Sequence, residues 1–140
     1  MGKLAIPTEI LEKPGPLTEF EMSIIKSHTY YSYRVLESVP EMQTVNQWAS
    51  FHHERLDGSG YPFHLTAKDL TLGSRIVAVA DLVTALLEDR PYRKGFSPKE
   101  MFEILRNLVH EGAIDGRIVR IAESSIDLIL QKISKLKEES

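Results

Sequence analysis

The spacing of apolar side chains narrows the fold more than any other feature of this chain. It follows the turn of a helix through segment after segment, and a strand has one main place to compete, RIVAVA at 75–80, where helical periodicity also wins. From Leu17, LTEFEMSIIKSHTYYSYRVLES opens with Thr18 and Glu21 in capping-box spacing and carries Phe20, Ile24, Ile25, Tyr31 and Val35 as its apolar set. Pro14, Gly15 and Pro16 before it and Pro40 after it mark both ends. A second helix is predicted from Met42 to Arg55, ending in FHHER, because the two glycines and proline of LDGSGYP cannot continue it. AKDL reads as a short turn. GSRIVAVADLVTALLEDR then sets Ile76, Val79, Ala80, Val83 and Leu87 on one face. Ser97 as N-cap, Pro98 at the first helical position and Glu100 open a helix to about His110. A last helix is predicted from Asp115 to Lys135, with residues 136–140 frayed. The fold class is therefore all-α, and the length fits a single domain over 1–140.

Composition removes several functions. The formal charge is −3 with no run of lysine or arginine, so binding to a nucleic-acid duplex or an anionic membrane, which rests on many phosphate contacts, is not expected. With no cysteine, thiolate metal sites and cysteine nucleophiles are excluded, leaving nitrogen and oxygen as metal ligands. No apolar stretch is long enough to cross a bilayer and the N-terminus lacks a signal core, which reads as cytoplasmic.

Chemistry concentrates in a few places. His52, His53 and Glu54 invite a metal reading, although neighbours on a helix point about 100° apart, so both imidazoles serve one site only at a helix end or between two ions. Asp81 sits among apolar positions and is expected to be partly buried, where a carboxylate needs a partner. His28 lies on the first amphipathic helix. Three histidines and an aspartate on three helices are the parts from which a bundle builds an interior metal site. Arg90, Arg93 and Lys94 cluster after the Asp81 helix, either for phosphate or as a solvated helix C-terminus. DGSGYP is either a turn or a loop that brings backbone close to a ligand, with Tyr61 free to stack on a base or to pack on the core.

These pieces stand in a known order. HHERLDGSGYP resembles the HHE-x-x-D-G-x-G-Y-P signature of the HD-GYP family, and GSRIVAVADLVTALLEDRPYRKGFSPKE resembles that family's second block, a helix with a metal-binding aspartate followed by D-R-P-Y-R. The upstream GKLAIPTEILEKPGPLTEFEMSIIKSH is similar too, so the resemblance runs from Gly2 to about Leu130. It implies an HD-domain-like helical bundle and a metal-dependent phosphodiesterase that hydrolyses cyclic di-GMP in bacterial signalling. It also implies His28, His52, His53 and Asp81 as ligands of a divalent metal, iron or manganese. Lys3 would then approach a substrate phosphate, Arg90 and Arg93 would bind phosphates of the cyclic dinucleotide, and Gly60, Tyr61 and Pro62 would shape the pocket and seat a guanine.

The sequence departs from the pattern at its start. The family's His-Asp dyad would stand immediately before Met1, so the bundle is expected to be incomplete at its N-terminus. The alternative to an enzyme is a non-catalytic module that binds a cyclic dinucleotide or a protein partner. Apolar surface left by absent helices would be covered by a second copy of the chain, by a preceding segment or by a regulatory domain.

Overall fold

A computed structural model describes residues 6–140, so Lys3 lies outside the described residues. The helices are α1 (Thr8–Leu11), α2 (Glu19–Glu37), α3 (Gln43–Ser50) after a 3-10 turn at Pro40–Met42, α4 (Leu72–Leu87), α5 (Pro98–His110), α6 (Gly116–Ser124) and α7 (Ile126–Glu138). Among the described residues there is no strand, and pairing is limited to the isolated bridges Asp57–Thr66 and Arg90–Arg93. The all-α expectation holds. By its contacts the chain divides into two compact units, one ending at Ala78 and the other starting at Val79, within α4.

In the first unit, α2 begins where its capping box requires. Thr18 Oγ1 accepts the Glu21 amide at 3.2 Å and the Glu21 carboxylate accepts the Thr18 amide at 2.8 Å. Lys13 Nζ adds an ion pair to that carboxylate at 2.6 Å. The buried face differs from the expected one. Phe20 (74% exposed), Tyr31 and Val35 face solvent, while His28, Thr29, Ser32 and Leu36 are buried. The stripe is helical in period but mostly polar, and its hydroxyls are satisfied within the helix: Ser32 Oγ donates to His28 O and Thr29 Oγ1 to Lys26 O. α3 packs along α2 and brings its own polar pair. Asn46 Nδ2 donates to Tyr33 O at 3.1 Å, and Ser50 Oγ donates to Asn46 Oδ1 at 2.9 Å.

The predicted helix from Met42 to Arg55 stops at Ser50. Two side chains explain this. The His52 ring nitrogen Nδ1 meets the Ala49 carbonyl at 2.8 Å, taking an acceptor left open at the helix C-terminus, and Glu54 turns its carboxylate to the loop beyond.

The second unit has an apolar core of Val79, Val83, Met101, Phe102, Leu105, Ala113, Ile114 and Val119. On α4 the buried stripe is Ala78, Val79 and Val83, with Leu87 half-buried; Ile76 and Ala80, expected inside, are exposed. α5 starts and stops as its residues dictate. Ser97 and Glu100 form a reciprocal capping box, and Gly112 (φ 77°) closes a Schellman turn in which the Ala113 amide donates to Leu108 O and the Gly112 amide to Val109 O. The single helix predicted from Asp115 to Lys135 is two. Ser124 Oγ donates to Ile121 O at 2.9 Å, competing with the backbone ladder just where the helix breaks at Ser125, and α7 then runs regularly to Glu138. Of residues 136–140, the first three lie in α7 and the last two lie outside it.

Candidate metal centre

Because α3 ends at Ser50, His52 and His53 sit in the turn after it rather than on a helical face, and the 100° problem vanishes. Their ring centroids are 4.0 Å apart, and the His28 ring, from α2, lies 6.1 Å from His52 and 5.4 Å from His53. Each of the three offers a ring nitrogen, and the three nitrogens lie within 4.8 Å of one another. His28 is buried and the other two are half-buried, so the cluster is shielded but reachable.

The donor chemistry fits a transition ion. His28 Nδ1 is engaged with the Ile25 carbonyl and His52 Nδ1 with the Ala49 carbonyl. A ring held at Nδ1 by a backbone carbonyl carries its proton there and keeps the Nε2 lone pair for a ligand, the usual way in which outer contacts set the tautomer of ligating histidines. Three imidazoles with no thiolate available suit a transition ion more than calcium or magnesium.

The loop after the cluster is folded back over it. The Tyr61 amide donates to the His53 carbonyl at 3.2 Å, and the Tyr61 ring stacks on the His53 ring at 4.9 Å and 25°. Lys26 Nζ stands 5.2 Å from the Tyr61 ring centroid. Gly60 is buried, and a Cβ there would collide with His53 O, Arg55 N and Glu54 Cα, so glycine is needed for the close approach. Pro62 follows in a cis peptide. Within the loop, Asp57 accepts from the Ser59 hydroxyl and amide, and those bonds, the hydroxyl's first, hold its carboxyl below the usual range. The same unit holds an aromatic group, with Tyr33 stacked on Phe51 at 5.9 Å and Phe63 edge-on to both.

Glu54 has a part that its place in the motif did not reveal. It is 2% exposed, and its two oxygens accept the amides of Phe63 (2.7 Å) and Leu65 (2.9 Å), so it is occupied with backbone. A buried carboxylate demands such partners.

The remaining sequence-predicted residues belong to the second unit. Asp81 is exposed on α4, against the expectation of partial burial, because its neighbours on the wheel, Val77 and Leu82, are themselves only half-buried. Arg90 is exposed and pairs with Glu88 at 3.4 Å. Arg93 donates to Ala85 O and Lys94 O at 3.2 Å and lies 4.7 Å over the Phe96 ring, so its guanidinium ties the end of α4 to the segment before α5.

Comparison with known proteins places these features. The family profile described as HD domain matches residues 1–118. A Vibrio cholerae protein named 3'3'-cGAMP-specific phosphodiesterase 1 is 45% identical over 118 residues, covering 84% of this chain and 27% of its own length. Its namesake phosphodiesterase 3 from the same organism is 31% identical across 100% of this chain and 30% of its own length. A Thermotoga maritima protein named cyclic di-GMP phosphodiesterase is 42% identical over 110 residues, 77% of this chain and 29% of its own. The chain therefore spans less than a third of the length of each of these relatives.

Proposed function

Given that the chain belongs to the HD domain family and is one of its HD-GYP members, we propose that it serves metal-dependent hydrolysis of a cyclic dinucleotide, cyclic di-GMP or 3'3'-cGAMP. The observation that carries this reading is the convergence of His28, His52 and His53 within 4.8 Å at the end of α3. These three residues would hold the metal, with iron or manganese as the ion, and Asp81 is assigned as a further ligand on the family's residue pattern. When bound, the metal supplies charge neutralisation at phosphate oxygens and activation of water.

The chain's own residues do the rest. His28 and His52 enter with their ring orientation already set by Ile25 and Ala49, so little order has to be gained on binding. Tyr61, held flat against His53 with Lys26 over its ring, would help to seat a guanine beside the cluster. Gly60 and Pro62 keep that ring in place. Arg90 is assigned to a substrate phosphate: its ion pair with Glu88 is solvent-exposed and contributes little, so exchanging it for a phosphate costs little. Arg93 would have to give up two carbonyl contacts for the same task.

The test is hydrolysis by the intact protein, reconstituted anaerobically with Fe2+ or with Mn2+, of cyclic di-GMP, 3'3'-cGAMP and a generic phosphodiester. Turnover of a cyclic dinucleotide that is lost in His53→Ala is the expected result. Hydrolysis of the generic ester alone, or turnover indifferent to that substitution, would overturn the reading.

A further inference from the structure

Resting on the proposed function, we infer that Glu54 is a positioning residue: a buried latch that holds the loop 55–65 closed so that His53 and Tyr61 keep their places at the metal centre. The latch begins with the backbone. His64 adopts a left-handed conformation (φ 54°), which turns the amides on either side of it, those of Phe63 and Leu65, toward one point. Successive amides around a left-handed residue form a concavity that binds an anion. The anion is the Glu54 carboxylate, one oxygen on each amide at 2.7 and 2.9 Å, in a site that leaves the residue 2% exposed. Charge-assisted bonds of this kind are about twice as strong as neutral ones, and shielding from water strengthens them.

The other end of the lever is the cluster itself. Glu54 follows His53 directly, and Gly60 lies against the backbone of 53–55 so tightly that no Cβ fits. Tyr61, the next residue, bonds to the His53 carbonyl and stacks on the His53 ring. Releasing the amides of Phe63 and Leu65 therefore frees the far side of a loop whose near side carries one ligand and one stacking ring.

Glu54→Gln keeps size and shape but replaces one acceptor oxygen by an NH2 group facing an amide donor. In the intact protein it is expected to lower hydrogen-exchange protection at Phe63 and Leu65 by about tenfold or more, the equivalent of one charge-assisted bond. Its Mn2+ affinity should fall by about 10–100-fold, the range for groups that support a ligand. At saturating Mn2+, the KM for cyclic dinucleotide should rise more than kcat falls, a split that a general loss of stability would not produce. Wild-type kinetic constants and Mn2+ affinity in a folded Glu54→Gln protein would overturn the latch. So would a wild-type protein in which the Phe63 and Leu65 amides exchange as fast as that of His64 between them, a measurement that needs no variant. If the wild type hydrolyses no cyclic dinucleotide, the parent reading fails, while the exchange and Mn2+ measurements still decide the latch.

Discussion

His52 combines two tasks in one ring. Nδ1 meets the carbonyl of Ala49 at the end of α3, and the same contact would leave Nε2 to face a metal. Beside it, Gly60 shows how little room the loop has. Gly60→Ala should push the 53–55 backbone away, lowering stability by about 1–3 kcal/mol as overpacking does. It should also weaken Mn2+ binding, and wild-type values in urea unfolding and in metal titration would contradict the packing described. The residue types at the centre were legible from the string HHERLDGSGYP, but their geometry was not. A histidine pair on a continuing helix and a histidine pair just past a helix end look alike until Nδ1 of His52 is seen to cap Ala49. Glu54 was masked by its neighbours: an acid after two histidines reads as part of a metal motif, and nothing local marks it as the acceptor for amides nine and eleven residues away.

At the level of the element, α5 offers the cleanest tests. Ser97→Ala removes the side-chain half of its cap and should cost about 1 kcal/mol in urea unfolding. The cap also has a pH dependence of definite sign. The Ser97 amide, then its hydroxyl, holds the Glu100 carboxyl below its ordinary range. A depressed folded pKa means that stability is present above the unfolded value and is lost as pH falls through the folded one. The advantage of the wild type over Glu100→Gln should accordingly shrink on acidification through that window; an advantage that grows there would be the wrong sign. Such caps were readable because they are local: Thr18 with Glu21 and Ser97 with Glu100 each complete themselves within one turn. The buried face of α2 was not readable. Its inner stripe is His28, Thr29, Ser32 and Leu36, and apolar periodicity points to Phe20, Tyr31 and Val35, which face solvent. A helix that lines an imidazole cluster buries the residues that cluster is built from, so its hydrophobic pattern turns away from the true interior. The break between α6 and α7 was hidden for a different reason, since a pair of serines inside a helical pattern is tolerated as often as it interrupts.

Across the whole chain, the two units differ in what they bury. The second has a continuous apolar core, in which Met101 and Leu105 are 0% exposed, and it behaves as a stability element: Leu105→Ala should cost about 2–5 kcal/mol. The first buries His28, Thr29, Ser32, Asn46, Ser50 and Glu54, a polar interior that is satisfied by hydrogen bonds and organised around the imidazoles. Among the described residues no helix is long and apolar enough to cross a membrane. A net charge of −3 gives no long-range attraction for a dinucleotide, so under the proposed function an anionic substrate would have to be held by local cations and by a metal. That places the metal at the centre of the account. The measurement that bears on it most directly is titration of the intact, metal-stripped protein with Mn2+, followed by electron paramagnetic resonance, in the wild type and in the His28→Ala and His53→Ala variants. Saturable binding by the wild type that is weakened at least about tenfold in both folded variants is the predicted result; equal binding by all three proteins would contradict a metal centre built on these histidines.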